Sequence, residues 1–273
     1  MEDTAIVASE QLTISEFERE SHELITDIKG RFAHGYLDIR NHQLRTGGSS
    51  QTAEEYARLS GDLSGRLYDL SLTIPQTGES VKTLGRGVYD ALLDDEDSFR
   101  KQIDGGNGNQ AQVFVVGTIS NLTLYHLLNE TLPPDEFGDY RSVLARPDVD
   151  VNYGVDFQWE KREPSGLLVV NLLQLKTSRS GDAPAIYRVH KNRAPEPVER
   201  LVKGRDLGKM REYADKLHEI ADAQGSKLDT RIWVAKVPPC QDPRIRNPFG
   251  IPTKRAAETY RDFKTSAERS RLI

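Results

Sequence analysis

The residues best suited to chemistry in this 273-residue chain are Asp156, Gln174 and Lys176. All lie in one stretch, Gly154 to Ser178, GVDFQWEKREPSGLLVVNLLQLKTS. It reads as a β-hairpin whose second strand is apolar until it ends on Gln174 and Lys176. A buried strand should not carry a glutamine and a lysine on one face without a reason, because unpaired polar groups are costly to bury. A carboxylate, an amide and an ammonium converging on one sheet face would suit a polar, charged ligand.

The turn tests that convergence. Pro164-Ser165-Gly166 fits a three-residue hairpin loop, with proline starting a type I turn and glycine taking the left-handed position. Glu163 then faces Leu167, and paired positions sum to 330. Asp156 falls opposite Gln174, and Lys176 shares their face because side chains alternate along a strand. A two-residue loop would shift the register and separate them.

The rest of the chain must position this hairpin. Charge is unevenly spread: residues 1–140 hold 11 Lys+Arg and 24 Asp+Glu (11 − 24 = −13), and residues 141–273 hold 26 and 18 (26 − 18 = +8), which returns the net −5. A basic back half around the hairpin favours a polyanionic partner. The single cysteine, Cys240, excludes an intrachain disulfide and fits a cytoplasmic location. The N-terminus has no secretory pattern, and no apolar run approaches the ~20 residues of a membrane helix. The six histidines show no zinc-ligand grouping with cysteine.

Helical periodicity covers 13–45, and Thr52-Ala53-Glu54-Glu55 is a capping box opening a helix to about Leu72. A further helix is expected over 80–103. Gly105-Gly106-Asn107-Gly108-Asn109 is the strongest linker and sets the domain divisions: a helical N-terminal domain over 1–104, an α/β domain over 110–240, and a partly helical tail over 241–273. The N-terminal helices are expected to bind a protein partner, form a homodimer or cover the site. After the linker come a long apolar helix from Gln110 to Thr131, a short strand over 149–153, the hairpin, a basic excursion over 179–203 containing IYRVH, an amphipathic helix over 204–223 with Leu207, Met210, Tyr213, Leu217 and Ile220 on one face, and a strand over 230–237. The fold class is α/β (α+β), a helical segment followed by a core with a central mixed sheet.

A helix, then a hairpin with Asp on one strand and Gln-x-Lys on the next, then helix and strand, resembles the PD-(D/E)XK nuclease superfamily, the restriction-endonuclease-like fold. The matching residues are Asp156 in GVDF and Gln174-Leu175-Lys176 in LLQLKTS. The resemblance spans 110–237. It implies a metal-dependent nuclease that hydrolyses phosphodiester bonds in DNA, with Mg²⁺ or Mn²⁺ as cofactor. By position, Asp156, Gln174 and the backbone carbonyl of Leu175 would hold the metal, and Lys176 would act on the attacking water and the phosphate. Glu and Asp are commoner than Gln at position 174, although some branches carry Gln. The family often adds an acid from the first helix; here Glu130 stands in that place, or is a solvated residue beside His126. Asp148 and Asp150 are spare acids. Arg179, Arg188, Lys191, Arg193 and Lys209 are candidates for contacts to a phosphate backbone.

Each residue also has an ordinary account. Lys176 can emerge into water at the strand end, Gln174 can satisfy nearby backbone groups, and Asp156 can accept from turn amides. A catalytically inactive nuclease-fold protein that binds nucleic acid or protein is the alternative reading.

Overall fold

The computed structural model describes residues 50–72, 109–133, 136–177, 183–190, 194–237 and 256–270, together with the helical residues Glu16, Arg19, Glu20 and Glu23. The rest of the helices expected over 13–45 and 80–103, and the candidate phosphate contacts Arg179, Lys191 and Arg193, lie outside the described residues.

Helix α1 (Ser50–Leu72) precedes the apolar helix α2 (Asn109–Thr131) and two short helices, α3 (Tyr140–Val143) and α4 (Pro147–Tyr153). Strands β1 (Phe157–Arg162), β2 (Leu168–Thr177) and β3 (Ala185–Val189) follow, then α5 (Glu196–Leu201), α6 (Gly204–Ala223), β4 (Leu228–Val237) and α7 (Ala256–Arg269). The fold is α/β with a mixed sheet of order β1-β2-β4-β3. β2 is antiparallel to β1 and parallel to β4, and β3 closes the other side antiparallel to β4. A central strand buried on both faces needs a continuous apolar run, which Leu168 to Leu173 supplies with one interruption, Asn171.

The hairpin has the expected loop. Glu163 N–H donates to the Leu167 carbonyl at 2.8 Å, Gly166 N–H donates to the Glu163 carbonyl at 2.9 Å, and Gly166 takes φ 82°. The ladder runs from Arg162↔Leu168 to Phe157↔Leu173, the register that the loop dictates.

That register assigns the two faces. Val170 and Leu172 of β2, Ile232 and Val234 of β4 and Val189 of β3 pack with Val149 of α4, Val198 of α5, and Leu207, Met210 and Ala214 of α6. The opposite face meets α2, the segment after it and α3: Phe137 of that segment stands edge-on to Trp159 at 5.2 Å, and Tyr140 of α3 meets Phe157 at 6.2 Å. Helix α1 joins this side, where Tyr68 stacks on Tyr140 at 5.2 Å and Asp69 pairs with Arg141 at 2.6 Å. Helix α7 seals the outer edge of β3: Ser266 Oγ accepts from Ile186 N–H at 3.1 Å and donates to its carbonyl at 3.0 Å.

Three local expectations need correction. Residues 149–153 form helix α4, not a strand. Pro147 enters at the first turn beside Asp148 and Asp150, and Gly154 caps the end in the left-handed conformation at φ 69°; this proline-in, glycine-out pattern with acids near the N-terminus is a helix signature that outweighs the alternation of Val149, Val151 and Tyr153. The basic excursion expected over 179–203 carries strand β3 across its IYRVH segment and helix α5 after it. Ile220 is 55% exposed, and Ala214 and Ala221 line the buried face of α6 in its place.

Candidate active site

Strand β2 outruns its partner. The ladder with β1 stops at Phe157↔Leu173, yet β2 continues to Thr177. The exposed end of β2 is where the three sequence candidates meet. Asp156 is not squarely opposite Gln174 as the simple register implies: its N–H donates to the Leu173 carbonyl at 2.9 Å, the residue already paired with Phe157. The carboxylate is thereby set against the next free amide of β2, and Leu175 N–H donates to Asp156 Oδ2 at 2.6 Å. The Leu175 carbonyl points to the same side of the strand as its N–H, past the start of β1.

Gln174 and Lys176 have the parity of Val170 and Leu172, so they lie on the α4–α6 face. Gln174 is 5% exposed, and its Oε1 has no hydrogen-bond partner. Its Nε2 lies against Gly154, 2.9 Å from where a β-carbon on that glycine would stand. Two features therefore demand glycine there: the left-handed backbone and the passing amide. Lys176 Nζ is 4.0 Å from Asp206 Oδ2 in the first turn of α6, and both side chains are about one-third exposed at 30% and 35%. The helix N-terminus favours the Asp206 carboxylate.

The electrostatics single out a second acid. Burial pushes the Asp156 carboxyl well above the usual range; the charge of Asp150 raises it further, while the Leu175 amide and Lys176 lower it. Burial also raises Asp150. Asp148, its neighbour in sequence, instead pairs with Arg146 at 2.9 Å at the surface. Asp150 was visible in the sequence only as a spare acid, because its value depends on α4 being a helix that ends at Gly154.

Other candidates are placed elsewhere. Glu130 ends α2, in the layer on the opposite face, where Tyr260 donates to its carbonyl at 3.0 Å and burial raises its carboxyl. The charges acting on Asp156 are those of Asp150 and Lys176, and Glu130 is not one of them. Arg188 stacks over the Trp233 ring at 5.7 Å, on the face opposite Gln174 and Lys176. Lys209 is half-buried in α6. Asp206 was missed, since no local pattern connects the first turn of a helix to the end of a distant strand.

No group of three or more His, Cys, Asp or Glu side chains suited to a metal ion occurs among the described residues. The donors here are of another composition: two acids, one side-chain amide oxygen and one backbone carbonyl. Such a set fits a hard divalent cation that keeps several waters, and the partnerless Gln174 oxygen is a free donor within it. No protein-family model, curated protein or solved structure matches this chain. Among the described residues no helix is long and apolar enough to cross a membrane.

Proposed function

We propose that this chain is a metal-dependent nuclease of the PD-(D/E)XK type that hydrolyses phosphodiester bonds in DNA. The observation that carries this reading is the buried, partnerless Oε1 of Gln174 near the end of β2, next in the strand to the Leu175 amide that holds the Asp156 carboxylate. Mg²⁺ or Mn²⁺ would be held by Asp156, Gln174 and the Leu175 carbonyl. When bound, such an ion polarises a phosphoryl oxygen and acidifies its water. The chain's own groups do the rest. Asp156, anchored on the Leu175 amide, keeps a carboxylate oriented at the strand end. Lys176 presents an ammonium to a phosphate oxygen and balances the charge that develops there. Asp206 holds that ammonium at the rim until a phosphate competes for it. The basic second half of the chain supports a polyanionic substrate.

The experiment is Mg²⁺- or Mn²⁺-dependent cleavage of supercoiled, linear and single-stranded DNA by the wild type, Asp156→Ala and Lys176→Ala. Loss of cleavage in both variants is expected. Cleavage that survives both substitutions removes the assignment.

One observation favours a second reading, a nuclease-fold module that binds nucleic acid or protein without cutting. Asp156 is already engaged in capping a backbone amide and Lys176 in an ion pair with Asp206. Retained DNA binding with neither cleavage nor metal binding would select this reading.

A further inference from the structure

Three observations converge on the turn between α4 and β1. First, Gly154 closes α4 by donating its N–H to the Asp150 carbonyl at 2.7 Å and then reverses the chain at φ 69°. This turns Asp156 back toward α4, where Asp150 lies one helical turn before Gly154. Second, the amide of Gln174 lies against Gly154 itself, so β2 presents its one partnerless side-chain oxygen beside the same turn. Third, Asp150 makes no ion pair among those found for the described residues, and the charge it places on Asp156 is unfavourable. Two partly buried carboxylates that repel one another, with the Lys176 ammonium, already drawn to Asp206, offsetting less than Asp150 adds, form an arrangement that folding alone does not reward. An unsatisfied amide oxygen at the same place compounds the cost. A divalent cation relieves all three: it pairs with both carboxylates and accepts the amide oxygen as a donor.

We propose that Asp150 is the second acid of this site and that Asp150, Asp156 and Gln174 Oε1 form one cradle for a divalent, oxygen-seeking cation. The inference rests on the metal-site reading above and deepens it. The extra acid comes from the short helix directly before the hairpin, and not from the end of α2. Local geometry explains the source: a glycine-capped helix joined to β1 by two residues, Val155 and Asp156, delivers its acid to the strand end by backbone hydrogen bonding alone. Glu130 is not among the charges that act on Asp156.

The test measures Mn²⁺ binding to the full chain, by the loss of the free-ion EPR signal, alongside thermal unfolding with and without Mn²⁺. The proteins are wild type, Asp150→Asn, Asp150→Glu, Asp156→Asn and, as a control, Asp148→Asn. Asp150→Asn should weaken Mn²⁺ binding by roughly tenfold or more. Without Mn²⁺ it should unfold at the same temperature as wild type or higher, because one of two like charges has gone. Asp150→Glu should recover part of the binding, and Asp148→Asn should match wild type. A merely structural Asp150 would lower the metal-free unfolding temperature and leave Mn²⁺ affinity unmoved. Wild-type affinity in both Asp150 variants, with loss in Asp156→Asn, overturns the role of Asp150 and leaves the rest of the metal site standing. No Mn²⁺ binding by the wild type overturns both. Binding that depends on Asp150 in a protein that cuts no DNA upholds the cradle and removes the hydrolytic reading.

Discussion

Strand β2 buries two amide side chains, and their fates differ. Asn171, on the α2 side, is 6% exposed and accepts from Trp233 Nε1 at 3.0 Å. Gln174, on the α4–α6 side, is 5% exposed and leaves Oε1 without a partner. Both interrupt an apolar run, and both are equally inaccessible. One is tied into the core across to the neighbouring strand. The other lies against the Gly154 turn, near the end of the strand that also carries Lys176. The contrast separates a polar group satisfied within the fold from one that the fold leaves unsatisfied, which the proposed function assigns to a metal ion. Burial alone would not have made that distinction.

The comparison can be broken most sharply through activity. Lys176→Ala should reduce DNA cleavage by roughly a hundredfold or more, the scale for removing a group that stabilises developing charge. Its effect on unfolding should be small, because Lys176 sits at a partly exposed strand end. Equal losses of activity and stability would make Lys176 a structural residue.

The two amides themselves provide the next test. Asn171→Leu should cost about 1–3 kcal/mol in urea unfolding, because it strands a buried indole N–H. Gln174→Leu should change stability by less than about 1 kcal/mol, since it removes a group that is already partly unsatisfied, yet it should weaken Mn²⁺ binding. A large stability loss in Gln174→Leu would erase the distinction between the two positions.

Gly154→Ala probes the turn that brings the acids together. A left-handed alanine costs about 1–2 kcal/mol, and the new β-carbon would press on the Gln174 amide at 2.9 Å. Both stability and Mn²⁺ affinity should fall. A change in stability alone would detach the turn from the site.

The smallest expected effect is on pH dependence. Burial and Asp150 raise the folded-state affinity of Asp156 for its proton, so the folded protein binds more protons than the unfolded chain between the ordinary carboxyl value of 3.8 and about 7. The contribution of this group to stability is greatest at low pH and is lost as pH rises through that window. Asp156→Asn should therefore flatten the metal-free stability profile between pH 5 and 7, relative to wild type, in thermal unfolding at matched ionic strength. An unchanged profile would mean that the carboxyl titrates normally.

Much of the site was legible in local chemistry. Pro164-Ser165-Gly166 specifies its own loop, the loop specifies the register, and alternation then puts Gln174 and Lys176 on one face. Helix α6 was legible from its periodicity, and α1 and α2 from capping and apolar length. Helix α4 was not, because Val149, Val151 and Tyr153 alternate as a strand would, and only Pro147 and Gly154 at the two ends say otherwise. Ile220 misled for a related reason: periodicity marks a face, but a helix running past the sheet leaves the end of that face in water.

The amino-acid order thus determines the hairpin, its register and the identity of Asp156, Gln174 and Lys176, since turns and alternation act over a few residues. Tertiary structure decides which groups accompany them. It turns Arg188 onto Trp233 and away from the site, leaves Glu130 on the far face, and brings Asp206 to Lys176. It also sets Asp150 against Asp156 through the Gly154 turn. Those pairings depend on where a helix lands on a sheet, which is fixed by the burial of whole faces such as Leu207, Met210 and Ala214 against Val170 and Leu172. No short stretch of sequence carries that information.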